Sequence, residues 1–348
     1  MDRRGFQPFG LPPHPTLRTS SPPAPLLSPM PIPARQLTLL LSLLAAGCPL
    51  TASATWSIVA CDPDGSCGVA VATHNLAVGA SVPYAQAKVG ALASQFETRP
   101  MHGTRGLSLL AQGRAPQTVL DTLIAEDDGE DGDARDRQVG IVAANGASAS
   151  YDGRHALESD WAGSLRGDDF SVQGNGLVGP QVLAGMRERF LAERGALAQR
   201  LLAALEAGQA AGGQRIGAMS AALLVRTPEG GWADIDLRVD ASPQPVRDLR
   251  ALLDRRHAHE AMLRAERLQR AGDHAAASRA VAEALALSHD WDRIWRRAAR
   301  LAMAQGQREV AVARLGELHR LNPVWARMEL QEDFYAALAG DSRVAGWR

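Results

Sequence analysis

Short, nearly continuous apolar runs with β-branched residues fill the middle of the chain, and apolar residues at helical spacing fill its last third. Thr55–Cys61 (TWSIVAC) and residues 68–74 (GVAVATH) flank the turn Asp62-Pro-Asp-Gly-Ser66 and predict a β-hairpin. Further strands are expected near 81–86 and 89–95, then helices at 106–112 and 116–125, where apolar residues recur every three to four positions. Residues 126–136 (EDDGEDGDARD) lack the glutamate that ends a calcium-binding loop, and they are expected to form a solvated acidic loop. Strands are expected again at 138–143 and 147–151 around Asn145-Gly146, and at 170–174. Amphipathic helices follow at 182–193 and 197–207, then a Gly-rich linker at 208–213 and a closing hairpin of 220–226 and 232–239. Strands, two helices, strands, two helices and strands again predict an α+β fold with helices covering the outer faces of the sheets.

After Pro245 the pattern turns helical. Gly272 and Gly306, Leu287 and Leu321, and Trp291 and Trp325 are each 34 residues apart, the period of tetratricopeptide-type helix pairs. A small all-α unit is therefore expected over 254–340, with a plain helical bundle as the alternative. Only about two repeats fit, so the unit is expected to pack on the preceding domain or to self-associate as a homo-oligomer.

The N-terminal region reads differently. Residues 1–29 hold proline clusters without hydrophobic period, as in a disordered extension or a start placed too far upstream. From Met30, Arg35 supplies a positive region, residues 37–46 an apolar stretch, and Thr51-Ala-Ser-Ala54 a small-residue tail. Residues 30–54 thus read as a secretory signal peptide cut between Ala54 and Thr55. The competing cut lies before Cys48, which would be acylated and anchor a lipoprotein. The first cut leaves Cys61 and Cys67, placed by their short loop to form a disulfide, against the alternative of two buried thiols. The expected location is periplasmic or secreted.

Charge and composition narrow the function classes. With 37 basic and 38 acidic side chains the net charge is −1, which gives no reason to expect nucleic acid as a partner. No apolar run reaches the length of a membrane helix, and no Cys/His tract has zinc-site spacing. No metal or cofactor is expected. Lys88 is the one lysine among the 37 basic residues.

A threonine at position one of a mature chain carries its own base, because the α-amine has a pKa of about 7.7–8.0 and sits on the same residue as the hydroxyl. Signal cleavage before a β-strand would expose Thr55 in that way. Lys88 lies 33 residues later, and lysine exchanges protons where arginine does not. It is a second candidate at the site, with codon bias as the alternative.

Residues 55–60 (TWSIVA), 68–71 (GVAV) with His74, Val82-Pro83, 89–91 (VGA), Gln95, 105–107 (RGL), 138–140 (QVG), 172–175 (VQGN), 220–224 (SAALL) and 236–240 (DLRVD) follow one pattern in order. Over about residues 55–253 the chain resembles the bacterial family called domain of unknown function 1028, placed in the N-terminal-nucleophile (Ntn) hydrolase superfamily. That resemblance implies a four-layer αββα sandwich with a threonine nucleophile at the start of its first strand. His74 is a candidate for orienting substrate or sharing a proton, and Asn175, between two glycines, for donating to an oxyanion; a structural histidine and a turn asparagine are the alternatives. Gln95 and Asp236 are candidate substrate-binding positions, as are His102 and Arg105 on an expected loop. Ser57 lies on the same strand and face as Thr55.

Two functional readings follow. In one, an exported Ntn-type amidohydrolase uses Thr55, His74, Lys88 and Asn175 on a small amide or peptide. In the other, the Ntn-like domain is catalytically silent and serves with the helical repeats as a scaffold for a protein partner. Convergence of Thr55, Lys88 and Asn175 in one pocket favours the first.

Overall fold

The computed structural model describes residues 54–128 and 133–347. The signal-peptide, Cys48 and proline-rich readings fall outside them. Two antiparallel sheets form the first part. The larger has six strands in the order β10-β9-β2-β1-β8-β7, and the smaller four in the order β3-β4-β5-β6. In chain order the strands are β1 Thr55–Cys61, β2 Cys67–Thr73, β3 Pro83–Gln86, β4 Gly90–Phe96, β5 Arg137–Ala143, β6 Ser148–Asp152, β7 Gly163–Gly167, β8 Phe170–Asn175, β9 Ser220–Arg226 and β10 Ile235–Val239.

Side-chain alternation along each strand sorts the interior into layers. Trp56, Ile58 and Ala60 of β1 face α4 (Gln181–Ala192) and α5 (Leu197–Ala210), where they meet Met186, Phe190, Leu201 and Leu205. Val59 and Cys61 point the other way and pack, with Val69 and Val71, on Ala91, Ala93 and Val142 of the smaller sheet. The far face of that sheet is covered by α1 (Pro100–Ala111) and α2 (Pro116–Asp128) through Leu109, Val119, Leu120 and Leu123. The molecule is a mixed α/β fold of two facing antiparallel sheets with helices on their outer sides.

The order of elements follows the sequence expectation closely, with instructive differences. Helix α1 starts at Pro100, six residues ahead of its expected start, so His102 and Arg105 lie on a helix rather than a loop. Gly103 and Gly106 weaken the helical signal there, yet a Cβ at Gly103 would stand 2.1 Å from the Tyr84 ring, so the close approach of helix and β3 requires glycine. Strand β7, Gly-Ser-Leu-Arg-Gly, carries one apolar residue and no periodic signal; it forms by pairing with β8. Helix α5 runs through Gly208, which was expected to begin a linker, because that glycine packs against Met186 and Trp56. The single-turn α3 (Arg154–Leu157) was not expected, and the other expected helices of this part lie within a few residues of their expected bounds.

Helix α6 (Pro245–Arg270) crosses the expected domain boundary without a break. Val246, Leu249 and Leu253 belong to the core under the large sheet, whereas Ala258, Ala261, Met262 and Ala265 belong to the helical core. The packing partner changes between Leu253 and Ala258, within one continuous helix. Beyond it lie α7 (His274–Leu287), α8 (Asp292–Ala304), α9 (Arg308–Leu321), α10 (Pro323–Leu330) and α11 (Ser342–Ala345). Helices α7 and α9 begin and end 34 residues apart, and Gly272 and Gly306, at φ 81° and 71°, end the helices before them. Among the described residues no helix is long and apolar enough to cross a membrane.

Candidate functional site

Thr55 is the first residue of β1 and is paired with Thr73 of β2 on one side and Asn175 of β8 on the other. Its side chain faces the space between the sheets, on the same face as Ser57 and Val59. The Thr55 nitrogen donates to Asn175 Oδ1 at 3.0 Å, and its Oγ1 donates to Thr73 Oγ1 at 3.1 Å. The Thr73 hydroxyl in turn donates to the carbonyl of Ala54 at 2.6 Å. One hydroxyl therefore touches both the Thr55 side chain and the peptide bond before it. Thr73 was not singled out from the sequence; its signal is the hairpin register, which sets it opposite Thr55.

Behind Thr55, amide and hydroxyl side chains cross between the sheets in a fully buried chain. Gln138 Nε2 donates to Asp152 Oδ1 at 2.7 Å and to the Gly174 carbonyl at 2.9 Å, both acceptors only, which fixes the orientation of its amide. Gln138 Oε1 then accepts from Asn175 Nδ2 and Gln95 Nε2, each at 2.8 Å. Gln95 Oε1 accepts from Ser57, Ser57 accepts from Gln173 Nε2, and Gln173 Oε1 accepts from Ser171. One Nδ2 hydrogen of Asn175 is taken by Gln138, and its oxygen faces Thr55. Asn175 thus holds the Thr55 nitrogen through Oδ1. Gly140 makes room for the chain, since a Cβ there would lie 2.0 Å from Gln173 Oε1. A polar network this buried is stable only when every member is satisfied.

In front of Thr55 opens a pocket of about 200 Å³ lined by Thr73, Asn75, Val78, Ser81, Phe96 and Glu97 among others. Phe96 closes β4 at φ 72°, a conformation costly for a bulky residue, and so turns the chain into the pocket wall. The wall is braced from behind. Arg137 donates to the Glu97 carbonyl at 3.1 Å and to Asp127 Oδ2 at 2.6 Å, and Arg99 pairs with the other Asp127 oxygen. Asp127, expected in a solvated loop, is fully buried at the end of α2 by these two arginines. Beside them His102 meets Ser94 Oγ at 3.2 Å through Nδ1, with Nε2 unpartnered and 3.9 Å from Asp127. Burial pushes the His102 pKa down, against the opposing pull of Asp127.

The other expected site residues divide. Gln95 is close but buried inside the polar chain, so it supports β1 rather than lining the pocket. His74 follows Thr73 directly yet is exposed, and Asn75 takes its expected place in the lining. Lys88 stands apart from Thr55: its backbone N–H donates to the Gly65 carbonyl in the far turn of the β1–β2 hairpin, and the residue is exposed. Six strand residues separate that end from Thr55, roughly 20 Å. Thr55 and Asn175 are brought into contact, although Asn175 does not line the pocket, and Lys88 is not brought near them. Arg105 is ion-paired with Glu126 on the surface at 2.8 Å, and Asp236 with Arg226 at 3.1 Å on β10. Neither lines the Thr55 pocket. Cys61 and Cys67 form a disulfide across the hairpin end.

A sequence family described as a family of unknown function, DUF1028, matches residues 55–249, which is 195 of the 348 positions. Among solved structures, the chain is similar to protein SPO2555 from Silicibacter pomeroyi, a crystal structure of the same family. The identity is 32%, the TM-score is 0.52, and the match covers 58% of this chain and 88% of that one. No curated protein matches.

Proposed function

The chain belongs to the DUF1028 family, and on the geometry around Thr55 we propose that it is an exported Ntn-type amidohydrolase whose nucleophile is exposed by cleavage after Ala54. The observation that carries this reading is the pair of contacts on Thr55: its nitrogen is held by a pre-oriented amide oxygen, and its hydroxyl by another hydroxyl at the mouth of a pocket. The succession of helix pair, sheet, sheet and helix pair agrees with a four-layer αββα arrangement. The 34-residue repeat of α7 and α9 supports a tetratricopeptide-like extension, and the disulfide is compatible with an oxidising compartment.

In the uncut chain the Thr55 nitrogen is a peptide N–H. Cleavage turns the same nitrogen, held at the same place by Asn175, into an amine. The neutral amine takes the proton of Oγ1 as that oxygen attacks the carbonyl carbon of a bound amide. The tetrahedral oxyanion collapses to an ester on Oγ1, and the departing amine leaves with the proton. Water, deprotonated by the same amine, then hydrolyses the ester and returns the hydroxyl. Loss of Ala54 also frees the Thr73 hydroxyl, whose proton becomes available to the carbonyl oxygen of the substrate.

Hydrolysis of a panel of peptide and aryl amides by the chain beginning at Thr55 tests the proposal. Thr55→Ala is expected to abolish turnover and Thr55→Ser to retain it; equal rates for wild type and Thr55→Ala sink the mechanism. A catalytically silent scaffold domain is the second reading. It takes its support from Lys88 standing away from Thr55 and from His74 facing solvent, and it fits a wild type inert on every amide of the panel.

A further inference from the structure

The helical extension contains a groove that the hydrolase reading does not use. Its floor is α8, which presents Arg293, Arg296, Arg297 and Arg300 on successive turns of one face, the i, i+3, i+4, i+7 spacing. Its walls are α6, through His259, Leu263 and Glu266, and the turn carrying Phe334. The cavity measures about 560 Å³, within the usual size of a ligand site.

Three of the four guanidinium groups are held in place. Glu329, only 2% exposed, lies behind the floor and accepts from Arg296 Nε and, at 2.8 Å, from Arg300 Nη1. Arg296 also lies over the Trp325 ring at 5.2 Å, and Arg300 over the Phe334 ring at 4.9 Å. Arg297 donates to Glu266 at 2.7 Å and to His259 Nδ1 at 3.0 Å. A guanidinium has five N–H donors, so each arginine keeps donors beyond these contacts. Arg293 is exposed and makes no ion pair among the described residues. Burial first, and the neighbouring arginines after it, hold the His259 pKa down.

We propose that this groove is a binding site for an acidic peptide segment, its carboxylates on the α8 arginines and an adjoining apolar side chain against Leu263 and Phe334. Arginines fixed by one edge lose little conformational entropy on taking a second carboxylate, and their fork geometry suits it. A polynucleotide fits less well, because the Leu263 and Phe334 wall suits an apolar side chain beside the carboxylates and offers nothing to a continuous phosphate backbone.

Fluorescence anisotropy on the full chain tests the site with a labelled peptide of six glutamates and one phenylalanine. The same peptide with glutamines, a labelled single-stranded oligonucleotide and inorganic phosphate serve as comparisons. Saturable binding of the glutamate peptide is expected, with none to the glutamine peptide and no displacement by phosphate at equal concentration. Arg293→Glu is expected to weaken binding about tenfold. Arg320→Glu, the same charge change on exposed α9 outside the groove, is expected to leave binding unchanged, with circular dichroism confirming both folds. No binding of the glutamate peptide, equal weakening by the two variants, or tighter binding of the oligonucleotide overturns the proposal.

Discussion

The Thr55 nitrogen and the Asn175 side-chain oxygen lie 3.0 Å apart, directly paired across β1 and β8, and the direction of that bond is dictated by Gln138 behind it. The nucleophile candidate is therefore held by a chain of amides that ends on Asp152, outside the pocket itself.

Because Asn175 presents a neutral acceptor to the amine, replacing it with a carboxylate stabilises the protonated amine and raises its pKa, which lowers the fraction of base at neutral pH. Asn175→Asp is expected to move the rising limb of the pH–rate profile of the chain beginning at Thr55 upward by about one unit or more. An unmoved limb separates Asn175 from the titrating amine.

Gln138 serves Asn175, Gln95 and the Gly174 carbonyl in the interior and reaches the half-buried Asp152 and Gly163 carbonyl at its edge. Gln138→Leu keeps the approximate volume and strands the groups of Asn175, Gln95 and Gly174, each costing about 1–3 kcal/mol when left unpaired and dry. A loss of about 3 kcal/mol or more in urea unfolding is expected. A loss below 1 kcal/mol shows that water enters between the sheets.

The Cys61–Cys67 bridge closes a short loop at the hairpin end remote from Thr55. By the loop-entropy relation, cross-linking so short a loop stabilises by about 2 kcal/mol. Dithiothreitol is expected to lower Tm by several degrees in wild type and to leave the Cys61→Ala/Cys67→Ala double variant unchanged. An unaltered wild-type Tm shows that the pairing carries no stability.

His102 is held neutral by burial, among Ser94, Asp127, Arg99 and Arg137. Its folded pKa lies below the unfolded value of about 6.5, so the unfolded chain binds the proton more readily. Its contribution to stability is complete above pH 6.5 and is lost as pH falls toward the folded pKa. His102→Gln is expected to flatten the fall of Tm between pH 7.5 and 5.5; parallel curves for the two proteins contradict this.

The strand and helix order was legible because period-two and period-3.6 patterns survive wherever one face is buried. Helix α1 and β7 were obscured by glycines whose value lies in close approach, as of Gly103 to Tyr84, which no local pattern encodes. At the site, Thr55 and Asn175 could be picked out as residue types, but the role of Asn175 depends on the direction of an amide chain through Gln138, Gln95 and Asp152. Thr73 was hidden in an apolar strand and is defined by register alone. Lys88 stood out by rarity, which carries no geometric information, and the fold sets it in the opposite turn.

The central claim is that Thr55 acts through its own free amine. Intact-mass and N-terminal analysis of the protein recovered from the exporting cell tests it most directly. The account predicts a mature chain that begins at Thr55 with an unmodified amine. A chain that begins at any other residue, or one acylated at Cys48, leaves Thr55 internal and contradicts it.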